Sequence, residues 1–339
     1  MIIINDFFKR NIEAVSNQME AALKALGGKI ISARRFMGQK ALQEEDLRDN
    51  IFVFEPEELN EKISEAVLTN EDEDILVFEE EPCKFKVDVF NKSNKNVYVA
   101  MYRKPYKEYM EHLMGYKKLK KVFVELESHK KILVDFGFNP EKIVVTPTPA
   151  KLSRQENQKK YTPNNVSLVF ASWNNTDETD STQARGLLYL VDCLEKFKNL
   201  NLVVVLRDNQ TKVFTDYVKF KNVQRQVKLV DVKNDQELTE IFDSADFVVY
   251  FLQEQIVKDV PNSLIDGISR GKPILMTDVL SFSKEVKKHQ IGKVFKKNDV
   301  VRNFNLSEEE YMRLSQNAYE FSAKHTVQNY MNVLKQNVR

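Results

Sequence analysis

Glycine is scarce in this chain of 339 residues, with nine in all, where an average share of about 7% would give roughly two dozen. Few places are therefore left where backbone can turn left-handed or press close to a phosphate. No P-loop, paired-glycine dinucleotide fingerprint, zinc pattern or nucleophile elbow occurs. Cysteine is almost absent. Cys83 and Cys193 lie far apart in predicted core or helix contexts, which reads as two buried free thiols in a reducing cytoplasm. The four histidines, His112, His129, His289 and His325, are scattered through lysine-rich helical stretches, and most are expected at the surface. Their spacing gives no metal site. No apolar run approaches the roughly 20 residues of a membrane span, and Met1 to Asp6 has no signal-peptide layout. The net charge of +1 excludes a global pull toward nucleic acid or membrane.

What is present is alternation. Short apolar runs at 1–5, 29–32, 51–54, 74–78, 96–102, 121–125 and 142–146 read as strands buried on both faces. Helical spacing lies between them, as in Ile12, Val15, Met19, Ala22 and Leu26. After Pro147 and Pro149, residues 150–165 are polar and poor in large apolar side chains, as in an interdomain linker. A second series follows at 166–170, 202–206, 227–230, 247–251 and 273–276, with a helical tail over 306–338. The expected class is α/β, with two doubly wound Rossmann-like domains facing a cleft and a C-terminal helical tail. The expected domains are 1–149, 166–305 after a linker at 150–165, and 306–339 as helices returning to the first domain.

The most informative run is Asp246-Phe-Val-Val-Tyr-Phe251 followed by Val260-Pro-Asn-Ser-Leu-Ile-Asp266-Gly-Ile-Ser-Arg-Gly271-Lys-Pro-Ile-Leu-Met-Thr-Asp278. It reads as strand, loop, helix opened by Pro261, turn and strand, with a helix N-terminus at a sheet's C-terminal edge, which is an anion site. This run resembles the donor-binding segment of the retaining, nucleotide-sugar-dependent glycosyltransferases of the GT-B fold, family 4. Lys121 to Gly137 and Lys142 to Pro147 resemble the end of that family's first domain, and Val166 to Ala171 with Ala184-Arg-Gly186 the opening of its donor domain.

The resemblance implies transfer of a sugar from a nucleoside-diphosphate sugar, a UDP-sugar foremost, with retention and without metal or other cofactor. Asp266 would bind the donor ribose, Asn262 and Ser263 would line the loop at phosphate and sugar, and Arg185 would stand for the family's phosphate-binding lysine. Arg207, at a strand's C-terminal edge, is a second candidate cation. The chain departs from the family at Lys258, where a glutamate is expected, so Glu254, Lys258 and Asp259 are all candidates to face sugar or diphosphate. Lys9 and Arg10 stand where a glycine loop is expected. Glu81, in the run Glu79 to Glu81, is a candidate acceptor base.

Residues 84–121 carry many lysines interleaved with aromatics. Arg103, Lys104, Tyr106 and Lys107 are the candidate acceptor patch within this stretch, which suggests an anionic acceptor. The leading acceptor is an envelope glycan or lipid-linked saccharide, reached by a cytoplasmic enzyme peripheral to the inner membrane face. The alternatives are a modified base in DNA, as for phage-type enzymes, and a non-catalytic subunit or chaperone of an active partner. No stable protein partner is evident in the sequence.

Overall fold

The computed structural model describes residues 1–6, 14–33, 50–69, 73–79, 81–171, 179–206, 212–232, 234–255, 258–296 and 306–338. These form two compact units: Met1–Pro149 with Val327–Arg339, and Ala150–Thr326.

The first unit is built on β1 (Ile2–Ile4), β2 (Lys29–Ala33), β3 (Ile51–Phe54), β4 (Ile75–Glu79), β5 (Val97–Met101), β6 (Leu119–Val124) and β7 (Ile143–Val145), parallel throughout in the order 3-2-1-4-5-6-7. Its helices are α1 (Ala14–Leu26), α2 (Leu59–Thr69), α3 (Lys84–Lys92), α4 (Lys107–Met114) and α5 (Glu127–Phe136). Alternate residues of the same strands enter two cores. Ile2, Ile4, Val77 and Val99 point to one face, and Ile3, Leu76, Phe78 and Tyr98 to the other. A strand of continuous apolar residues is what a sheet covered on both faces requires.

The second unit holds β8 (Val166–Ala171), β9 (Leu200–Leu206), β10 (Val227–Asp231), β11 (Phe247–Tyr250), β12 (Ile274–Thr277) and β13 (Gly292–Phe295), also all parallel. Their order, β10-β9-β8-β11-β12-β13, reverses direction between β8 and β11. Around them lie α6 (Thr179–Ala184), α7 (Leu187–Lys196), α8 (Lys212–Phe220), α9 (Asp235–Ser244), α10 (Asn262–Ser269), α11 (Ser283–His289) and α12 (Glu308–Phe321). The last helix, α13 (Val327–Asn337), belongs to the first unit, where Tyr330, Met331, Leu334 and Val338 join the core beside Met19 and Ala22 of α1.

Three expectations need correction. Residues 150–165 are not a free linker but part of the second unit. Tyr161 is 2% exposed and stacks on Tyr311 with ring centroids 4.3 Å apart. The tail is divided: α12 stays with the second unit and only residues from Val327 onward join the first. The stretch 84–121 is not a basic aromatic surface, because Phe90, Tyr98, Tyr102, Tyr109 and Tyr116 are all core residues. Their spacing served α3, β5 and α4, and the lysines between them mostly mark the solvent faces of those elements.

Candidate functional site

In a doubly wound sheet, ligands lie outside the C-terminal ends of the strands where the strand order reverses. In the second unit that point is the end of β8 and β11. Tyr250, the last residue of β11, donates its hydroxyl to the Ala171 carbonyl at the end of β8 (2.9 Å), and its oxygen lies 2.9 Å from Ser263 Oγ in the first turn of α10. Thr277, ending β12, donates to the carbonyl of Leu252 (2.6 Å). The edge is thus tied together by side chains that leave α10 with its N-terminus at the switch point.

Pro261 caps that helix in extended conformation and is pre-set for the entry. Asn262 and Ser263 follow, both half-buried.

The turn between α6 and α7 meets the same edge. The Ala184 carbonyl accepts the backbone N–H groups of Gln253 (2.7 Å) and Glu254 (3.3 Å), just beyond β11. Gly186 has φ +75, and a Cβ there would overlap the Phe251 carbonyl oxygen. Glycine is required at this position for both reasons. Between these two contacts sits Arg185, only 6% exposed. An arginine buried to this extent is far from the ordinary solvated one.

Other sequence candidates fall differently. Asp259 is fully buried and its Oδ1 accepts the backbone N–H of Ser281 (2.6 Å), so this carboxylate fastens a loop. Glu254 is exposed and Lys258 half-buried on the loop before α10. Arg207, Lys9 and Arg10 lie outside the described residues.

Asp266 is 4% exposed, and its Oδ1 accepts the backbone N–H groups of Lys151 (2.7 Å) and Leu152 (3.1 Å). The expected ribose carboxylate is turned onto the chain itself.

In the first unit, Glu81 follows β4 and accepts from Arg103 Nη1 (2.7 Å) and the Tyr106 hydroxyl (2.8 Å). Burial, and then the Glu81 carboxylate, push the Tyr106 phenol up to about 12. Lys104 and Lys107 are exposed beside them. Three of the sequence candidates are therefore brought together, Glu81, Arg103 and Tyr106.

Sequence reasoning included Glu79 in the acidic run but missed the partners gathered around it. Glu79, the last residue of β4 and 1% exposed, has Oε1 within 2.9 Å of the Tyr116 hydroxyl and 3.1 Å of His112 Nε2. Its carbonyl accepts from Tyr109 (3.1 Å). The i, i+3 and i+7 spacing of Tyr109, His112 and Tyr116, the last just past the end of α4, was the signal that could have found it. Of the histidines, most of them expected at the surface, His129 and His325 are core residues at 0% and 3% exposure.

Cys193 is buried and its thiol is pushed up to about 12 by burial, so it is inert, and both cysteines are free. No group of three or more potential metal ligands occurs among the described residues. Nor is any described helix long and apolar enough to cross a membrane.

No family model matches this chain, and no curated protein matches it by sequence. Solved structures do. HepE from Anabaena in complex with UDP-glucose superposes with a TM-score of 0.72 at 11% identity, covering 99% of this chain and 98% of that one. WaaG, a glycosyltransferase involved in lipopolysaccharide biosynthesis, gives 0.70 at 12%, with 99% of each chain covered. A glycosyltransferase from Rickettsia africae gives 0.66 at 15%, covering 98% and 96%. Likeness of this extent at such low identity is a likeness of architecture, and the chain has the GT-B fold of those glycosyltransferases.

Proposed function

We propose that this protein is a glycosyltransferase that moves a sugar from a nucleoside-diphosphate sugar to an acceptor hydroxyl. The observation that carries the reading is the edge at β8 and β11. There the N-terminus of α10 and the turn that carries the buried Arg185 both contact the end of β11 or the residues just past it, which supports the reading. Backbone N–H groups at a helix mouth together with a guanidinium make an anion site suited to a diphosphate. Asn262 and Ser263 offer polar side chains beside it. As the C1–O bond to diphosphate breaks, these groups stabilise charge on the leaving oxygens without a metal. A leaving oxygen that takes the proton of the incoming hydroxyl on the same face gives retention of configuration. HepE binds UDP and UDP-glucose, which supports a uridine donor for this chain.

The acceptor is an envelope saccharide in this reading. WaaG and WaaB, which also share the fold, act in lipopolysaccharide synthesis. On the first unit, the exposed Lys104, Tyr106 and Lys107 beside the half-buried Arg103 offer a small set of cationic and aromatic contacts for an anionic glycan. Isothermal titration with UDP, GDP, dTDP, CDP and ADP tests the donor half. Micromolar binding of one nucleotide, weakened at least tenfold in Arg185→Met, is the expected result. Absence of binding to all five by a cooperatively melting protein would reject it.

A further inference from the structure

Just past the first unit, residues 151, 152, 153, 155 and 157 each touch α10 or the turn after it. The N–H groups of Lys151 and Leu152 go to Asp266 Oδ1. The Ser153 carbonyl accepts from Arg270 Nη1 (3.1 Å), and Gln155 Oε1 accepts from Arg270 Nη2 (2.5 Å). The Gln155 N–H donates to the Ser269 carbonyl (2.8 Å), and Asn157 Oδ1 accepts from Lys272 Nζ (2.6 Å). On the other side Arg154 reaches Ser322 Oγ and the Tyr319 carbonyl, each at 2.9 Å, and lies over the Tyr319 ring. Arg270, 3% exposed, is itself fixed by a two-pronged pair with Asp243 (2.7 and 2.6 Å).

Asp266, Ser269, Arg270 and Lys272 thus each hold part of residues 151–157. Asn262 and Ser263 stand one turn ahead of Asp266 on the same eight-residue helix. A short helix moves as a rigid piece, so whatever fixes its mouth also fixes the segment clamped to its second turn.

We propose that Asp266 and Arg270 are positioning residues that couple the nucleotide site at the mouth of α10 to the chain segment joining the two units. This rests on the donor reading above. A diphosphate bound at the mouth of α10 restrains the helix, and through Asp266 and Arg270 it restrains residues 150–157. Asp266 acts through its Oδ1 as an acceptor of two backbone hydrogen bonds. The carboxamide of asparagine presents the same oxygen, so charge at this position is dispensable and the acceptor is not.

Hydrogen–deuterium exchange of the full-length protein with and without UDP tests this, read at peptides covering 150–157 and alongside UDP affinity by calorimetry. In the wild type, UDP is expected to slow exchange of 150–157 at least threefold. Asp266→Ala should raise exchange there without ligand, abolish the slowing and weaken UDP about tenfold. Asp266→Asn should restore all three to within about twofold of the wild type. Arg270→Lys, which keeps the charge but not the forked contacts, should shift exchange in the same direction as Asp266→Ala and serves if the alanine variant does not fold.

Equal loss of UDP affinity in Asp266→Asn and Asp266→Ala, with exchange at 150–157 unchanged in both, would make Asp266 a direct ligand and overturn the proposal. UDP binding to the wild type with no slowing at 150–157 would overturn the coupling while leaving the donor reading intact. Failure of the wild type to bind any nucleoside diphosphate would instead remove the donor reading, and the coupling with it.

Discussion

Gly186 does work at a single residue that no other side chain can do. It sits at φ +75 with its Cα against the Phe251 carbonyl, so Gly186→Ala imposes both backbone strain and overlap. The expected cost is about 1–3 kcal/mol, and the relief available is to push the α6–α7 turn off the strand edge, carrying Arg185 with it. Thermal melting and UDP titration of Gly186→Ala should therefore show a lower Tm together with weakened nucleotide binding. A fall in Tm with unchanged affinity would separate Arg185 from the site. Asp259 makes the contrasting case. Asp259→Ala leaves the Ser281 N–H without its buried acceptor, at a cost of about 1–3 kcal/mol. Chemical denaturation should show that loss, and UDP affinity should hold. The sequence could rank neither residue correctly. Gly186 was visible as part of an Arg-Gly pair, but the approach of Phe251 comes from a loop more than sixty residues away. Asp259 carried the right chemistry at nearly the right spacing, and its burial left no trace in the sequence.

Elements built from apolar periodicity were legible, and those built from polar contacts were not. The β11–α10–β12 unit follows from its run of apolar residues, Pro261 and the Gly271-Lys272-Pro273 turn. The segment 150–165 has linker composition because Ser153, Gln155, Asn157 and Lys159 are used laterally, as hydrogen-bonding partners. Nothing in a polar composition distinguishes a segment hydrogen-bonded along its own unit from a solvated loop. Its anchor at Lys272 has a consequence for pH. Burial, opposed by Asp243 and Asp246 and assisted by Lys159 and Arg270, brings this ammonium down from 10.5 to about 8. The folded form therefore gives up its proton near pH 8, whereas the unfolded chain keeps it to 10.5. Between those values the unfolded state binds more protons, so stability contributed by this site rises with pH. Lys272→Met should flatten the pH dependence of the second unit's stability between pH 8 and 10, measured by urea unfolding at each pH. An unchanged slope would place the titration elsewhere.

At the level of the whole chain, two α/β units were readable from the two series of strands, but their strand order was not. The reversal at β1 and β4 in one sheet and at β8 and β11 in the other is a product of crossover geometry, and crossovers leave little trace in the pattern of apolar residues. The return of the chain was expected from the family outline, yet its division at residue 326 depends on which core each helix fills. Val327 to Arg339 contributes Tyr330, Met331, Leu334 and Val338 to a core shared with Met19, Ala22 and Ile30. Burial holds the Tyr330 phenol far above its ordinary value, as for a ring sealed from water. Removing Leu334 alone, fully buried, should cost about 2–5 kcal/mol. That loss falls on the first unit, because α13 is part of it. Exchange-detected unfolding of Leu334→Ala should show protection lost across β1, β2 and α1 and kept across β8, β9 and β11. Equal loss in both sets would mean that the two units unfold as one. In that case the stability of the nucleotide site depends on a core whose α13 side chains lie more than sixty residues along the chain from Asp266.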